Sequence, residues 1–229
     1  MSDDGVLVID KPSGMTSFGV VARIRRVASL QAGKKVKVGH TGTLDPFATG
    51  LMILVIGKEC RNASRYAKLD KVYEATFTLG QVSTTGDPEG EVSAYHGAGV
   101  ANESKPRRPT VAQIQEVMMQ FTGDITQRPP MFSAIKINGR RAYSLARDGR
   151  EIEMPERTIT VYALEILNYA YPELKVRTHV SSGTYIRSLA ADIGEVLGVG
   201  AYCSALRRTK VGTFSIKDAK KLTDYGIID

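Results

Sequence analysis

The stretch Gly39-His40-Thr41-Gly42-Thr43-Leu44-Asp45-Pro46-Phe47-Ala48-Thr49-Gly50 sets one carboxylate, Asp45, on a loop dense in turn residues. Glycine has no side chain to clash, so such a loop lets backbone approach a ligand closely. Pro46 disfavours helix at the residue before it, which places Asp45 on extended or turn backbone. Upstream, Lys11 to Leu44 holds seven cations (Lys11, Arg23, Arg25, Arg26, Lys34, Lys35, Lys37) and no Asp or Glu. A lone carboxylate after so much positive charge suggests chemistry on a polyanion. The spacing alone also fits an ordinary Asp-Pro turn.

Working outward, Val6-Leu7-Val8-Ile9 reads as a buried strand closed by Asp10-Lys11-Pro12-Ser13-Gly14. Thr16 or Ser17 can cap a helix whose apolar positions Val20, Val21, Ile24, Val27 and Ala28 follow helical spacing. Leu51 to Ile56 is a second fully buried strand. Lys71 to Leu79 alternates, with Tyr73, Ala75, Phe77 and Leu79 on one face. Residues 83–109, poor in apolar side chains, read as turns and a mobile excursion within one domain. Thr110-Val111-Ala112-Gln113 fits a capping box that opens an amphipathic helix, and Asn138-Gly139 signals a tight hairpin. Residues 158–180 hold two strand-like runs broken at Tyr171-Pro172-Glu173. A last helix is expected from about Tyr185 to Leu197, buried through Ile186, Leu189, Ala190, Ile193 and Leu197 and capped by Ser182 or Thr184. Strands and helices mix without regular βαβ alternation, so the expected class is α+β with a largely antiparallel sheet.

The 229 residues suffice for a sizeable core, as one large domain or two packed lobes, and 42% hydrophobic with 24% charged residues is a soluble globular composition. A net charge of +7 and a pI near 9.4 favour an acidic partner, nucleic acid first. Cys60 and Cys203 lack any CxxC spacing, so a reducing cytoplasm is expected. His40, His96 and His179 are scattered, so no metal is expected. The longest apolar run, Leu51 to Ile56, is too short to cross a bilayer. Arg187 falls in the first turn of the last helix, where the dipole disfavours a cation. It therefore needs an anion, or it is a solvated surface residue. Tyr73 fits core packing, and equally a ring that stacks on a base.

Together these residues resemble the TruB family of tRNA pseudouridine synthases. Its signature loop is similar to Gly39 to Pro46, followed by Ala48 and Gly50. Five further segments occur in the family's order: Gly5 to Gly14, Lys71-Val72-Tyr73, Pro129 to Lys136, Gly183-Thr184-Tyr185-Ile186-Arg187 and Leu206-Arg207-Arg208. The resemblance implies the pseudouridine synthase fold, a central, mostly antiparallel mixed sheet flanked by helices and loops. It implies an isomerase that converts uridine to pseudouridine at position 55 in the T-loop of tRNA, acting on a flipped-out base. Asp45 matches the catalytic aspartate, Tyr73 the active-site tyrosine and Arg187 the arginine that pairs with the aspartate. His40 matches a histidine that fills the space left by the flipped nucleotide, and Lys11, Tyr185 and Leu206 match further site residues. Thr43, Arg207, Lys34 and Lys35 complete the expected RNA contacts.

Nothing is oxidised and no group is donated in this isomerisation, so no cofactor or metal is expected. Attack by Asp45 at ribose C1′, attack at uracil C6 and a glycal-type route are each compatible with these residues. The expected partner is the T-stem-loop of tRNA, with no membrane, and the expected state is a cytoplasmic monomer. A C-terminal RNA-binding PUA domain is usual in the family, whereas this sequence ends at Asp229. The expectation is a single synthase domain over 1–229, either truncated or binding tRNA without that module. Phe132 stands where the family often has Tyr, and Lys34-Lys35-Val36-Lys37 with Arg140-Arg141 could supply compensating phosphate contacts. Modification of another RNA stem-loop and a non-catalytic tRNA-folding chaperone are the alternatives.

Overall fold

The computed structural model describes residues 4–96, 108–133, 135–137, 140–142 and 154–227. The chain divides into two compact units, Met1–Tyr73 with Leu206–Asp229, and Glu74–Ala205. Two strands, β4 (Lys71–Leu79) and β12 (Ala201–Val211), contribute residues to both.

In the first unit, β1 (Gly5–Lys11) pairs antiparallel with β3 (Thr49–Ile56), and β2 (Val38–His40) pairs antiparallel with the same strand. β3 runs parallel to β12 in the register Arg207↔Thr49 and Arg208↔Gly50, and β13 (Phe214–Ser215) closes an antiparallel hairpin on β12. Every residue of β3 from Gly50 to Ile56 is buried, as a continuous apolar run requires. Helix α1 (Ser17–Ala32) starts at Thr16, whose hydroxyl accepts from the Gly19 N–H at 2.9 Å, and ends at Gly33 in the left-handed conformation. Its buried side is Ser17, Val20, Val21, Ile24 and Ala28, close to the expected stripe, with Val27 at its margin. A short helix α2 (Ala63–Ala67) precedes β4.

In the second unit the strand order is β4, β11 (Glu173–Val180), β10 (Arg157–Ala170) and β7 (Gly123–Gln127), with β12 on the other side of β4. β10 is antiparallel to both β11 and β7. The alternation read from Lys71 to Leu79 is present, with Lys71 itself on the buried face alongside Tyr73, Ala75, Phe77 and Leu79. Helix α3 (Val111–Gln120) carries the expected capping box of Thr110 and Gln113. β8 (Lys136–Ile137) and β9 (Arg140–Arg141) pair in antiparallel register around Asn138-Gly139, which lies outside the described residues. The combination is an α+β fold with a mixed, mostly antiparallel sheet, as expected.

Two expectations change. Residues 83–109 are not turns throughout: β5 (Gln81–Ser83) and β6 (Val92–Ala94) form a hairpin, and the turn between them buries Asp87. Of the expected excursion, 97–107 lies outside the described residues. Helix α4 (Ile186–Val196) has Tyr185 as its N-cap, without a side-chain cap bond. Neither Ser182 nor Thr184 caps it, because the Thr184 hydroxyl donates to the Ser181 carbonyl instead (3.0 Å). Gln127 of β7 meets the helix start: its Oε1 accepts from the Tyr185 N–H (2.8 Å) and its Nε2 donates to the Tyr185 carbonyl (3.0 Å). A buried amide from a neighbouring strand thus does what a local Ser or Thr would do.

Candidate functional site

Asp45 is half-buried, and its position is set through its neighbours' backbone. On one side the buried Ser17 hydroxyl donates to the Leu44 carbonyl (2.9 Å) and accepts from the Leu44 N–H (2.8 Å). On the other, the Pro46 carbonyl accepts from the Gly14 N–H (2.8 Å) and from the Lys11 ammonium (3.0 Å). The Lys11 Nζ also donates to the Pro12 and Met15 carbonyls, at 2.7 and 2.6 Å. Lys11 is fully buried. A buried ammonium must have its donors satisfied, and these carbonyls satisfy three of them while fixing the loop at 11–15 against Pro46. Ser13 adds a bond to the Phe47 carbonyl (3.0 Å), and Ala48 N–H closes the turn on the Asp45 carbonyl (3.2 Å).

The front of the loop is held by Arg208, which is 2% exposed. Its Nε donates to the Leu51 carbonyl (2.7 Å) and its terminal nitrogens reach the Gly42 (3.1 Å) and Thr43 (3.5 Å) carbonyls. Gly50 sits at φ +105 directly against this strand, where a Cβ would overlap the Arg208 carbonyl oxygen and lie 2.8 Å from its backbone nitrogen. Here the glycine is required twice over, by conformation and by close approach. His40, at the end of β2 and half-buried, precedes Thr41, whose N–H donates to the Ile53 carbonyl (3.2 Å). Thr43 is exposed.

Tyr73 is buried on β4, on the same face as Lys71, and Leu206 is buried on β12. Arg207 is engaged within the protein: it forms a two-point pair with Asp10 (3.1 and 2.7 Å) and donates to the Thr49 hydroxyl (3.3 Å). Lys34, Lys35 and Lys37 are exposed around the buried Val36, whose N–H donates to the Ser29 hydroxyl (3.0 Å). The ammonium of Lys71 donates to the Ala67 carbonyl (2.7 Å) and to the Leu69 carbonyl. Burial, and next the charge of Arg208, pushes it down from 10.5 to about 8.

In the second unit Arg187 is 3% exposed, which excludes the solvated surface reading. Its Nη1 pairs with the Asp87 carboxylate (3.1 Å) and donates to the Thr85 carbonyl (2.8 Å), and its Nη2 donates to the Phe132 carbonyl (2.8 Å). Asp87, equally buried, is fixed by the Thr85 hydroxyl (2.5 Å) and the Glu89 N–H (3.0 Å). The anion that the position of Arg187 demanded within this unit is therefore Asp87, which the sequence reading did not single out. Its only signal was the Thr84-Thr85-Gly86-Asp87 turn chemistry, which looked like an ordinary loop. Phe132 serves Arg187 through its carbonyl, a contact that Tyr or Phe can make alike. Tyr185, half-buried, is positioned by Gln127 as described. Among the described residues no group of three or more His, Cys, Asp or Glu could hold a metal ion. No helix there is long and apolar enough to cross a membrane.

These features match known proteins over nearly the whole chain. Residues 26–186 fit the family model for the N-terminal domain of TruB family pseudouridylate synthases, and 187–225 the C-terminal domain of tRNA pseudouridylate synthase B. The tRNA pseudouridine synthase B of Endomicrobium trichonymphae is 42% identical over 226 residues, covering 99% of this chain and 93% of that one. That of Corynebacterium efficiens is 42% identical, over 98% of this chain and 72% of its own. Among solved structures, a chain of a Cbf5-Nop10-Gar1 complex superposes with a TM-score of 0.72 at 32% identity. A chain of an H/ACA RNP bound to a substrate RNA containing 2′-deoxyuridine superposes with a TM-score of 0.68 at 30% identity. Each alignment covers 97% of this chain, which spans about half the length of those chains (53% and 52%). The chain therefore belongs to the TruB family of pseudouridylate synthases.

Proposed function

We infer that the protein is an isomerase that makes pseudouridine in tRNA, with the uridine at position 55 of the T-loop as its target and Asp45 as nucleophile. The observation that carries this reading is the double clamp on Asp45. Ser17 fixes the peptide before it, and Lys11 with Gly14 fixes the carbonyl after it. A reacting carboxylate must be held in a productive geometry, and clamping the peptides on either side of it does that.

In the reaction the bond from ribose C1′ to uracil N1 breaks and a bond from C1′ to C5 forms. The proton on C5 leaves and N1 gains one, so substrate and product are isomers. An ionised carboxylate can attack and later leave, which suits Asp45. Tyr73 supplies a ring for the extruded base, and stacking on it helps offset the few kcal/mol that unstacking costs. Arg187, fixed by Asp87, is assigned the charge that keeps the nucleophile ionised. His40 fills the space left in the RNA. Lys34, Lys35 and Lys37 supply phosphate contacts, and a cytoplasmic monomer is the form in which this chemistry is expected to run.

The test uses unmodified tRNA tritiated at uracil C5. Forming the C1′–C5 bond expels that hydrogen, so tritium should appear in water. Replacing the uridine at position 55 by cytidine should abolish the release. Release that survives the replacement would refute the assigned position, and no release from any tRNA would refute the reaction in favour of a chaperone.

A further inference from the structure

The exposed side of α1 carries an aromatic residue for which the proposed chemistry has no use. Phe18, in the first turn of the helix, is 65% exposed. The Arg25 guanidinium lies over its ring, 6.0 Å from the centroid. Residues seven apart on a helix share a face, so Arg25 backs one side of the ring and the other side is left open to solvent. Ser17, the preceding residue, is the one that binds the Leu44 peptide in both directions. The ring is therefore anchored one residue away from the contact that places Asp45.

The same helical stripe continues through Ala22 to Ser29, whose hydroxyl accepts from the Val36 N–H at 3.0 Å. Lys35 and Lys37 flank Val36 and are exposed. The rise from Phe18 to Ser29 is about 16 Å at about 1.5 Å per residue. That is the length of a few stacked nucleotides at about 3.4 Å each. No Asp or Glu occurs from Lys11 to Leu44, so the helix and the segment after it carry no charge of their own that repels an anionic polymer.

We propose that Phe18, backed by Arg25, is a stacking platform for an unpaired base of the RNA substrate, and that the strand bearing it passes along α1 toward Lys35 and Lys37. A second copy of the chain or an apolar peptide would also cover a phenyl ring, but the acid-free, cationic segment that bears it favours RNA. The proposal rests on the reading of the protein as an RNA-modifying synthase. It adds a residue type, an exposed aromatic on α1, that positions RNA without touching the reacting atoms.

The experiment is equilibrium binding of an unmodified T-arm hairpin to the full chain by fluorescence anisotropy, for wild type, Phe18→Ala, Phe18→Leu and Phe18→Trp. Circular dichroism establishes that each variant is folded at the measuring temperature. Phe18→Ala should weaken binding about tenfold, Phe18→Trp should restore it and Phe18→Leu should not. The slope of log affinity against log salt should be unchanged in Phe18→Ala and flattened by more than about one unit in a Lys35→Ala, Lys37→Ala double variant. Wild-type affinity in Phe18→Ala overturns the proposal, as does full rescue by Phe18→Leu, or self-association that depends on Phe18 while RNA affinity does not. Binding needs no turnover, so a wild-type protein that bound through Phe18 but released no tritium would sink only the catalytic assignment.

Discussion

The loop around Asp45 and the cage around Arg187 are built in opposite ways. In the first unit, cations reach backbone carbonyls: Lys11 binds three, Arg208 three and Lys71 two. In the second, a buried cation meets a buried carboxylate, Arg187 with Asp87, and two carbonyls also accept from the guanidinium. Carbonyl clamps fix chain path, so they can hold an acidic residue in place by gripping the peptides on either side. An ion pair fixes one side chain and depends on both partners. The first design should fail when the backbone is disturbed, the second when either charge is removed.

The largest effect should come from Gly50→Ala. The new methyl would collide with the Arg208 backbone at a position that also requires positive φ, and neither can yield without breaking the β3–β12 pairing. A loss of more than about 4 kcal/mol in a urea titration, or no soluble protein, is expected. Near wild-type stability would show that the clamp is not the rigid element described here.

Next, Asp87→Ala should cost about 3 kcal/mol, because it removes a buried carboxylate from the Arg187 guanidinium in a site 3% exposed. The double variant Asp87→Ala, Arg187→Met should recover part of that stability while staying inactive. Recovery would sharpen the contrast with the carbonyl clamps, and a strictly additive loss would break it.

Lys71 gives a pH test of the first design. Its folded value, about 8, lies below 10.5 because burial disfavours the charged form. The unfolded chain therefore binds more protons than the folded one between those values, and stability should rise with pH across that window. Relative to Lys71→Met, the wild type should gain about 2 kcal/mol between pH 7.5 and pH 10 by chemical denaturation. A flat difference would mean that the ammonium is not desolvated.

Ser17→Ala should have the smallest effect on stability, about 1 kcal/mol, since it removes two bonds to the Leu44 peptide. Its effect should be concentrated in kcat, with little change in KM for tRNA, because misplacing a reacting group by about 1 Å can cost about a hundredfold. A change confined to KM would place Ser17 in RNA binding instead.

Much of the scaffold was legible from local pattern. The alternation from Lys71 to Leu79, the capping box at Thr110 and the apolar stripe of α1 each rest on neighbours in sequence, and the structure repeats them. What escaped was long-range. Asp87 lies 100 residues before Arg187 in a polar stretch that reads as loop, and nothing local marks it as buried. The start of α4 is satisfied by Gln127 from a distant strand, so the nearby Ser and Thr were misleading candidates. Lys11, Lys71 and Arg208 are each buried against carbonyls, an arrangement for which sequence carries no signature. Arg207, expected to contact RNA, also pairs with Asp10 and keeps 40% of its side chain exposed, a long-range pairing that sequence does not mark.

The central claim is that Asp45 is the nucleophile of a tRNA isomerase, and the most direct test is pseudouridine mapping at single-nucleotide resolution. Unmodified tRNA is incubated with wild type or with Asp45→Asn, which is nearly isosteric but a poor nucleophile. Pseudouridine is expected at position 55 with the wild type, and at a rate lower by roughly a thousandfold or more with the variant. Equal product from both proteins would contradict that role for Asp45.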